Sequence, residues 1–202
     1  MRDLSGSGKL NRPCLSWTCM QPTAKRWARL GRDNPSTMFH TPENGVCLST
    51  FIVARRGNSA LVGRPKDHRA WPEKGGLPQG RAADLDKQGA WLLPATHLLM
   101  DESPDHAARR IVREWTGLQG TPRFVEVQSH VRPGRLLRAG AKGNHWDFCF
   151  VYELRARALP RLRPWWSEMK FVPFSEIPDM NLGRGHADIL EEAGYLRPRG
   201  RR

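Results

Sequence analysis

Long apolar stretches are missing from this sequence. No run of about 18 apolar residues occurs, and a helix that spans a membrane requires a run of that length. The basic residues Arg2, Lys9 and Arg12 are not followed by the apolar stretch of about 7–15 residues that a secretory signal contains. We therefore expect a cytoplasmic protein that does not enter the membrane.

Cysteine is also scarce, with four residues in a chain of 202. Four scattered cysteines do not form the dense framework of a small disulfide-bonded protein, and they favour a reducing compartment. Cys14 and Cys19 form a single CxxxxC pattern without nearby histidines, whereas Cys47 and Cys149 lie in apolar stretches typical of strands. The sequence therefore gives little support for a zinc site.

Acidic residues are outnumbered, because 20 Asp and Glu stand against 33 Lys and Arg, for a formal charge of +13. Such an excess attracts polyanions, among them nucleic acids, nucleotides and acidic membrane surfaces. Arginines are concentrated in two stretches, residues 155–163 and 197–202. A solvated basic surface and a nucleic-acid-binding surface both stay open as interpretations, although the strand motif of common RNA-binding domains is absent.

The length favours one domain with extensions over two domains. Residues 1–37 lack hydrophobic periodicity and mix Gly, Ser, Pro, Arg and Lys, so we expect an N-terminal extension with little fixed structure. Residues 38–196 carry the patterns of strands and helices and are predicted to form the domain. Residues 197–202 form an arginine-rich tail. Translation from Met20 or Met38 is an alternative that would shorten the extension.

Short stretches rich in Val, Ile, Phe and Thr predict the strands. They cover residues 45–55, 59–63, 90–93, 123–130, 145–154 and 169–174. Residues 64–89 are rich in Pro and Gly and predict a long loop, and residues 185–195 predict a closing helix. Because strands and helices mix without strict βαβ alternation, we expect an α+β fold around a mixed sheet.

One helix is predicted at about residues 104–116. Ser103 is a favoured N-cap, and Pro104 is tolerated at the first helical position because its missing N–H would have no partner there. Gly117 is typical of the residue that follows a helix C-terminus. Apolar residues recur at helical spacing between these ends, at Ala107, Ala108, Ile111, Val112 and Trp115.

The stretch from Leu93 to Leu118 reads LPATHLLMDESPDHAARRIVREWTGL. It resembles the Nudix box, written G-x5-E-x7-R-E-U-x-E-E-x-G-U, where U is a bulky apolar residue. Glu102 stands at the first glutamate, Arg110 at the arginine, Glu114 at the first glutamate of the pair and Gly117 at the glycine. The spacing holds across the whole box. The resemblance therefore implies a Nudix fold, an α/β/α sandwich, over residues 38–196.

The resemblance also implies a chemistry. Nudix enzymes cleave a diphosphate linked to another group, with water as the nucleophile and Mg²⁺ or Mn²⁺ held by carboxylates. One helix supplies several carboxylates when they stand at i, i+3 and i+4, because those positions share a face. In this chain the three positions are Ile111, Glu114 and Trp115. Two of the three carboxylates are therefore replaced by apolar side chains.

We interpret the chain as a Nudix-like protein that engages a nucleoside-diphosphate-type or other phosphate-bearing ligand, with hydrolysis absent or weak. An alternative is a divalent-metal-dependent pyrophosphohydrolase that uses relocated carboxylates. Its metal ligands would be Glu114 and Glu168, and Glu102 and Arg110 would complete the catalytic set. These residues have a structural interpretation too, since Glu102 and Arg110 can form an ion pair between loop and helix. Whether the protein is an enzyme stays open.

A second alternative is a non-catalytic module that binds RNA or a protein partner through its basic surface. The adjacent Trp165 and Trp166 cannot both point inward from one strand, so one of them is a candidate for stacking on a base. A homodimer is also compatible with the resemblance, because Nudix proteins are often dimers. Four histidines are candidates for acid–base roles, namely His97, His130, His145 and His186.

Overall fold

The computed structural model describes residues 46–132 and 145–197. The predicted extension (residues 1–37), the first two cysteines and most of the arginine-rich tail lie outside the described residues. Within them, no helix is long and apolar enough to cross a membrane.

A mixed sheet forms the centre of the molecule. Its strands are β1 (Val46–Arg56), β2 (Ser59–Pro65), β3 (Ala95–His97), β4 (Arg123–Arg132), β5 (His145–Arg155) and β6 (Trp166–Pro173). The order is β4-β5-β1-β2-β6, and β3 pairs with β1 off this path. The β1–β5 pair is parallel, and the other pairs are antiparallel. The mixed sheet that the sequence predicts is confirmed.

Helices cover both faces of this sheet. The α-helices are α1 (Arg81–Lys87), α2 (Pro104–Arg110) and α3 (His186–Glu192). Helix α2 continues without interruption as a π-helical segment, Ile111–Thr116, and we call the two together the box helix. The helix predicted at residues 104–116 is therefore confirmed. Short 3-10 turns lie at Ile177–Asp179 and Gly183–Gly185.

The faces of β1 show how the layers are separated. Successive side chains of a strand point to opposite faces. Ile52 accordingly packs in a core with Ile111 and Trp115 of the box helix, whereas Val53 packs in a second core with Ile189 of α3. The sheet thus lies between two helical layers, as expected for an α/β/α sandwich.

The segment predicted as a loop, residues 64–89, is largely ordered into helix. It contains a π-helical turn at Trp71–Gly75, which we call the 71–75 segment, and it contains α1. Trp71 is buried, and its indole N–H donates to the Lys66 carbonyl at 2.9 Å. Burial of Trp71, together with Leu77 and Leu85, outweighs the local preference of Pro and Gly for irregular structure.

Two strand predictions also differ from the structure. Residues 90–93 form only isolated bridges, at Trp91 and Leu92, and the strand in this region is β3. Strand β6 begins at Trp166 rather than at residue 169. Trp166 is buried and Trp165 is partly buried, and both pack against Trp115. These contacts with the Trp115 ring place the start of β6 in the core.

Candidate functional site

The box helix begins with a capped turn that positions an ion pair. The hydroxyl of Ser103 accepts a hydrogen bond from the His106 N–H at 3.2 Å, which satisfies one of the first amides of the helix. Two turns later, Arg110 donates from Nε to Glu102 Oε1 and from Nη2 to Glu102 Oε2, both at 2.7 Å. This geometry is bidentate, which is the strong form of an arginine–carboxylate pair.

The same ion pair links β3, the loop that follows β3 and the box helix. Arg110 Nη2 also donates to Thr96 Oγ1 at 3.0 Å and to the His97 carbonyl at 3.2 Å, both in β3. Glu102 accepts a further bond from the Leu99 N–H at 3.0 Å. Burial raises the pKa of the Glu102 carboxyl, but the hydrogen bonds from Arg110 and Leu99 outweigh burial and hold that pKa below its ordinary value. Both side chains are therefore engaged in holding the loop and β3 against the helix.

The face of the box helix that the resemblance assigns to metal is apolar and buried. Ile111 is 0% and Trp115 is 1% exposed. The indole of Trp115 lies between other tryptophans, with ring centroids 4.8 Å from Trp71 and 5.2 Å from Trp165. Its backbone carbonyl accepts the Trp166 indole N–H at 2.9 Å. This face belongs to the core of the domain.

Glu114 lies at the edge of that face, and its carboxylate is ion-paired. Oε1 is 3.1 Å from Arg113 Nη2, and Oε2 is 3.8 Å from Lys74 Nζ. The glycine after Lys74 permits the close packing of the 71–75 segment, since a Cβ at Gly75 would lie 2.7 Å from the Trp115 ring. A cation supplied by the chain itself is therefore held beside the box carboxylate.

Glu168 lies elsewhere. It is half-exposed on β6, where its carboxylate is 3.5 Å from Lys170 Nζ. Two other acids also have protein partners, because Asp105 accepts the Tyr152 hydroxyl and Glu126 accepts the Gln128 amide, both at 2.7 Å. Across residues 46–132 and 145–197, no group of three or more His, Cys, Asp and Glu side chains is arranged to hold a metal ion.

A cleft of about 540 Å³ opens beside β3, where the loop that leads to the box helix begins (residues 98–103, the box loop), on the α3 side of the sheet. Side chains of β1 and β5, including Phe51 and Cys149, form an apolar part of its lining that we call the floor, and Trp71 and Gly75 of the 71–75 segment also line it. Polar and charged side chains line its walls, namely Arg81, Asp84, Thr96, His97, Asp147, Arg184 and His186. The cleft thus combines an apolar floor with groups that recognise anions.

His186 is the best-defined polar group of this cleft. It is buried, its Nδ1 accepts the Leu93 N–H at 2.9 Å, and its ring lies edge-on to Phe51. Because Nδ1 accepts a hydrogen bond, the proton of the neutral imidazole is on Nε2. Burial and then Asp147 raise the pKa of the Cys47 thiol, which Arg184 partly opposes, so these charges also act within the cleft.

The sequence had singled out His97 and His186, and the structure places both on this cleft. The side chains of His130 and His145 lie outside the described residues. Arg184 was not identified as a cleft residue from the sequence. The signal for Arg184 is weak but present, because it stands between two glycines and adopts a positive φ of 59° at the start of α3.

Comparison with known proteins is consistent with this geometry. A sequence model described as the NUDIX domain matches residues 48–193. The MutT protein from Methanosarcina mazei Go1 superposes with a TM-score of 0.52 at 19% identity, covering 77% of this chain and 95% of that protein.

A second similar structure is the NUDIX domain of Shewanella oneidensis NrtR complexed with ADP ribose. Its TM-score is 0.50 at 17% identity, and the match covers 85% of this chain and 97% of that one. A bifunctional NMN adenylyltransferase/ADP ribose pyrophosphatase from Francisella tularensis also has a TM-score of 0.50 at 17% identity, over 74% of this chain and 42% of that one. No curated protein sequence gives a match. The family model covers well over half of the sequence, and the chain belongs to the NUDIX domain family.

Proposed function

We propose that the protein binds a nucleoside-diphosphate-type ligand in the cleft beside the box loop and hydrolyses it weakly or not at all. The observation that carries this proposal is the state of the box helix. Ile111 and Trp115 lie in the core, and the one remaining carboxylate, Glu114, is ion-paired with Lys74 and Arg113. Family membership supports a phosphate-bearing ligand, and the complex of the Shewanella relative with ADP ribose supports this ligand class.

The residues present do not fit a resident divalent metal. Mg²⁺ requires near-octahedral oxygen ligands at about 2.1 Å, usually with more than one carboxylate or a substrate phosphate. Glu114 offers one carboxylate, and a metal would have to compete with the positive charges of Lys74 and Arg113. An active site that loses two carboxylate ligands loses several kcal/mol of transition-state stabilisation, at about 1.4 kcal/mol for each tenfold in rate.

The cleft nevertheless keeps what a nucleotide ligand needs. Its volume of about 540 Å³ lies within the range of about 300–1,000 Å³ that is common for small-molecule sites. The apolar floor at Phe51 suits a nucleoside, whereas Arg81, Arg184 and the Nε2–H of His186 suit phosphate oxygens. The Nη1 atom of Arg81 lies 3.7 Å from Asp84 Oδ2, on the same helix.

A working pyrophosphohydrolase with relocated carboxylates is the second candidate. In that case Glu114 and Glu168 hold Mg²⁺ or Mn²⁺, and Glu102 and Arg110 take part in the reaction. In such a rearrangement, Glu168 must break its ion pair with Lys170. The carboxylate oxygens of Glu102 must bind a further group in addition to Arg110. The contacts of the described residues favour the first candidate for this reason.

Titration calorimetry with ADP-ribose, in Mg²⁺ and again in EDTA, tests the proposal together with an assay of ADP-ribose hydrolysis in Mg²⁺ or Mn²⁺. We expect the same Kd with and without metal, and no hydrolysis above background for the wild type or for Glu114→Gln. Arg184→Ala should weaken binding, whereas the exposed Arg69→Ala, away from the cleft, should not. Metal-dependent hydrolysis that Glu114→Gln abolishes would establish the second candidate instead.

A further inference from the structure

A second cleft, of about 840 Å³, lies at the C-terminal end of the box helix and shares no lining residue with the proposed ligand site. It is bounded by residues 117–121 after the helix and by residues 153–161 at the end of β5. Four arginines line it, namely Arg123, Arg155, Arg157 and Arg161. Glu153 is the one acid among its lining residues, so four positive charges face one negative charge.

Glu153 offsets only part of the positive charge of these arginines. Its Oε2 accepts the Tyr195 hydroxyl at 2.8 Å and Arg55 Nη1 at 3.2 Å, from outside the cleft lining. Its contacts with Arg123 and Arg155 are longer, 3.9 and 3.8 Å. Burial raises the pKa of Glu153, but the bonds from Tyr195 and Arg55 outweigh burial and keep the carboxyl charged. Arg155 is 91% exposed, so most of the positive charge faces solvent.

The shape of this cleft is fixed by the end of the box helix. The Arg161 N–H donates to the Thr116 carbonyl at 2.9 Å, and Arg163 Nη2 donates to the Arg113 carbonyl at 3.0 Å. Gly117 has a φ of +64°, and a Cβ there would lie 2.6 Å from the Arg161 Cβ. The arginine-bearing stretch is therefore docked on the helix terminus. A concave positive surface of this kind focuses the field and concentrates anions.

We propose that this arginine cleft binds the phosphate backbone of a single-stranded nucleic acid. A groove that carries several positive charges follows successive phosphates, and it is the electrostatic element of single-strand binding sites. Arginine pairs with phosphate in bidentate geometry, and all four of the cleft's cations are arginines. A concave surface fits a strand better than it fits a flat bilayer, and the exposed Leu159 on its wall offers apolar contact to a base or sugar.

Fluorescence anisotropy with a labelled single-stranded RNA of about 12 nucleotides, measured on the full chain over a range of KCl concentrations, tests this proposal. Four phosphate contacts predict a slope of log K against log salt near −3, at about −0.7 for each contact. Arg155→Ala/Arg157→Ala should reduce the magnitude of that slope by about 1.4 and weaken binding about tenfold or more. The matched control, Arg69→Ala/Arg109→Ala, removes the same charge from exposed positions that do not line the cleft.

The control should bind RNA within about twofold of the wild type, and Arg155→Lys/Arg157→Lys should retain most of the slope. Thermal unfolding of each variant establishes that the fold is intact. Equal losses in the cleft and control variants would mean binding by net charge alone and would overturn the proposal. So would an unchanged slope in the cleft variant, or binding only to phosphatidylserine vesicles and not to RNA.

Discussion

The buried ion pair between Glu102 and Arg110 should contribute measurably to the free energy of unfolding. Their side chains are 12% and 9% exposed, and their two bonds are both 2.7 Å long. Removing one partner of a buried ion pair leaves an uncompensated charge, at a cost of about 3–5 kcal/mol. Glu102→Gln retains an oxygen that can accept one bond from Arg110, so we expect a loss near the lower end, about 3 kcal/mol in the free energy of unfolding.

The pH dependence of that loss has a definite sign. The folded pKa of Glu102 lies below its ordinary value, so its charge contributes stability above the unfolded pKa of about 4.3. That contribution is lost as the pH falls through the folded pKa. The free energies of unfolding of the wild type and Glu102→Gln, measured in urea, should therefore differ by the full amount at neutral pH. The difference should disappear in acid. A variant within 1 kcal/mol of the wild type at neutral pH, about the size of an exposed pair, would refute the argument.

Removing both charges should cost less than the two single losses added together. Replacing a buried ion pair by apolar side chains is often close to neutral, because the desolvation penalty of both ions disappears. We therefore expect Glu102→Gln/Arg110→Met to unfold with a smaller loss than the sum of the two single variants. Additive losses would mean that Arg110 is held mainly by Thr96 and the His97 carbonyl.

Three further predictions concern Gly75, the two tyrosines and Lys74. Gly75→Ala places a Cβ 2.7 Å from the Trp115 ring and should cost about 1–3 kcal/mol, measured by urea unfolding. The chain has two tyrosines, Tyr152 and Tyr195, and burial together with carboxylate hydrogen bonds raises the pKa of both. Phenolate absorbance at pH 10 should therefore be nearly absent in the folded protein and about half-developed in urea. Lys74→Glu puts a second carboxylate beside the box glutamate and should strengthen Mn²⁺ binding relative to the wild type, measured by electron paramagnetic resonance.

The box helix could be predicted from the sequence because its determinants are local. Ser103 caps its first turn, and Gly117, with a φ of +64°, ends it. Both signals lie within one turn of the boundary that they set. The π-helical geometry of Ile111–Thr116 could not be predicted in this way. It accompanies tertiary contacts, since the carbonyls of Trp115 and Thr116 accept bonds from residues about 50 positions away.

The site was predicted only in part, for the same reason. The spacing of Glu102 and Arg110 suggested a pair that the structure contains. Lys74 could not be assigned as the partner of Glu114, because it lies in a stretch whose Pro and Gly content predicted a loop. Its position depends on the packing of Trp71 against Trp115, a contact that no local pattern specifies.

The two clefts are separate, and each is proposed to bind a different kind of anion. The proposed ligand site combines arginine and histidine with an apolar floor, a composition suited to a small phosphorylated molecule. At the C-terminal end, the arginine cleft lies beside a helix terminus whose carbonyls accept bonds from Arg161 and Arg163. The negative end of the helix dipole favours cations there. The box helix, with its Ile111 and Trp115 face buried in the core, therefore positions the arginine cleft at its C-terminal end.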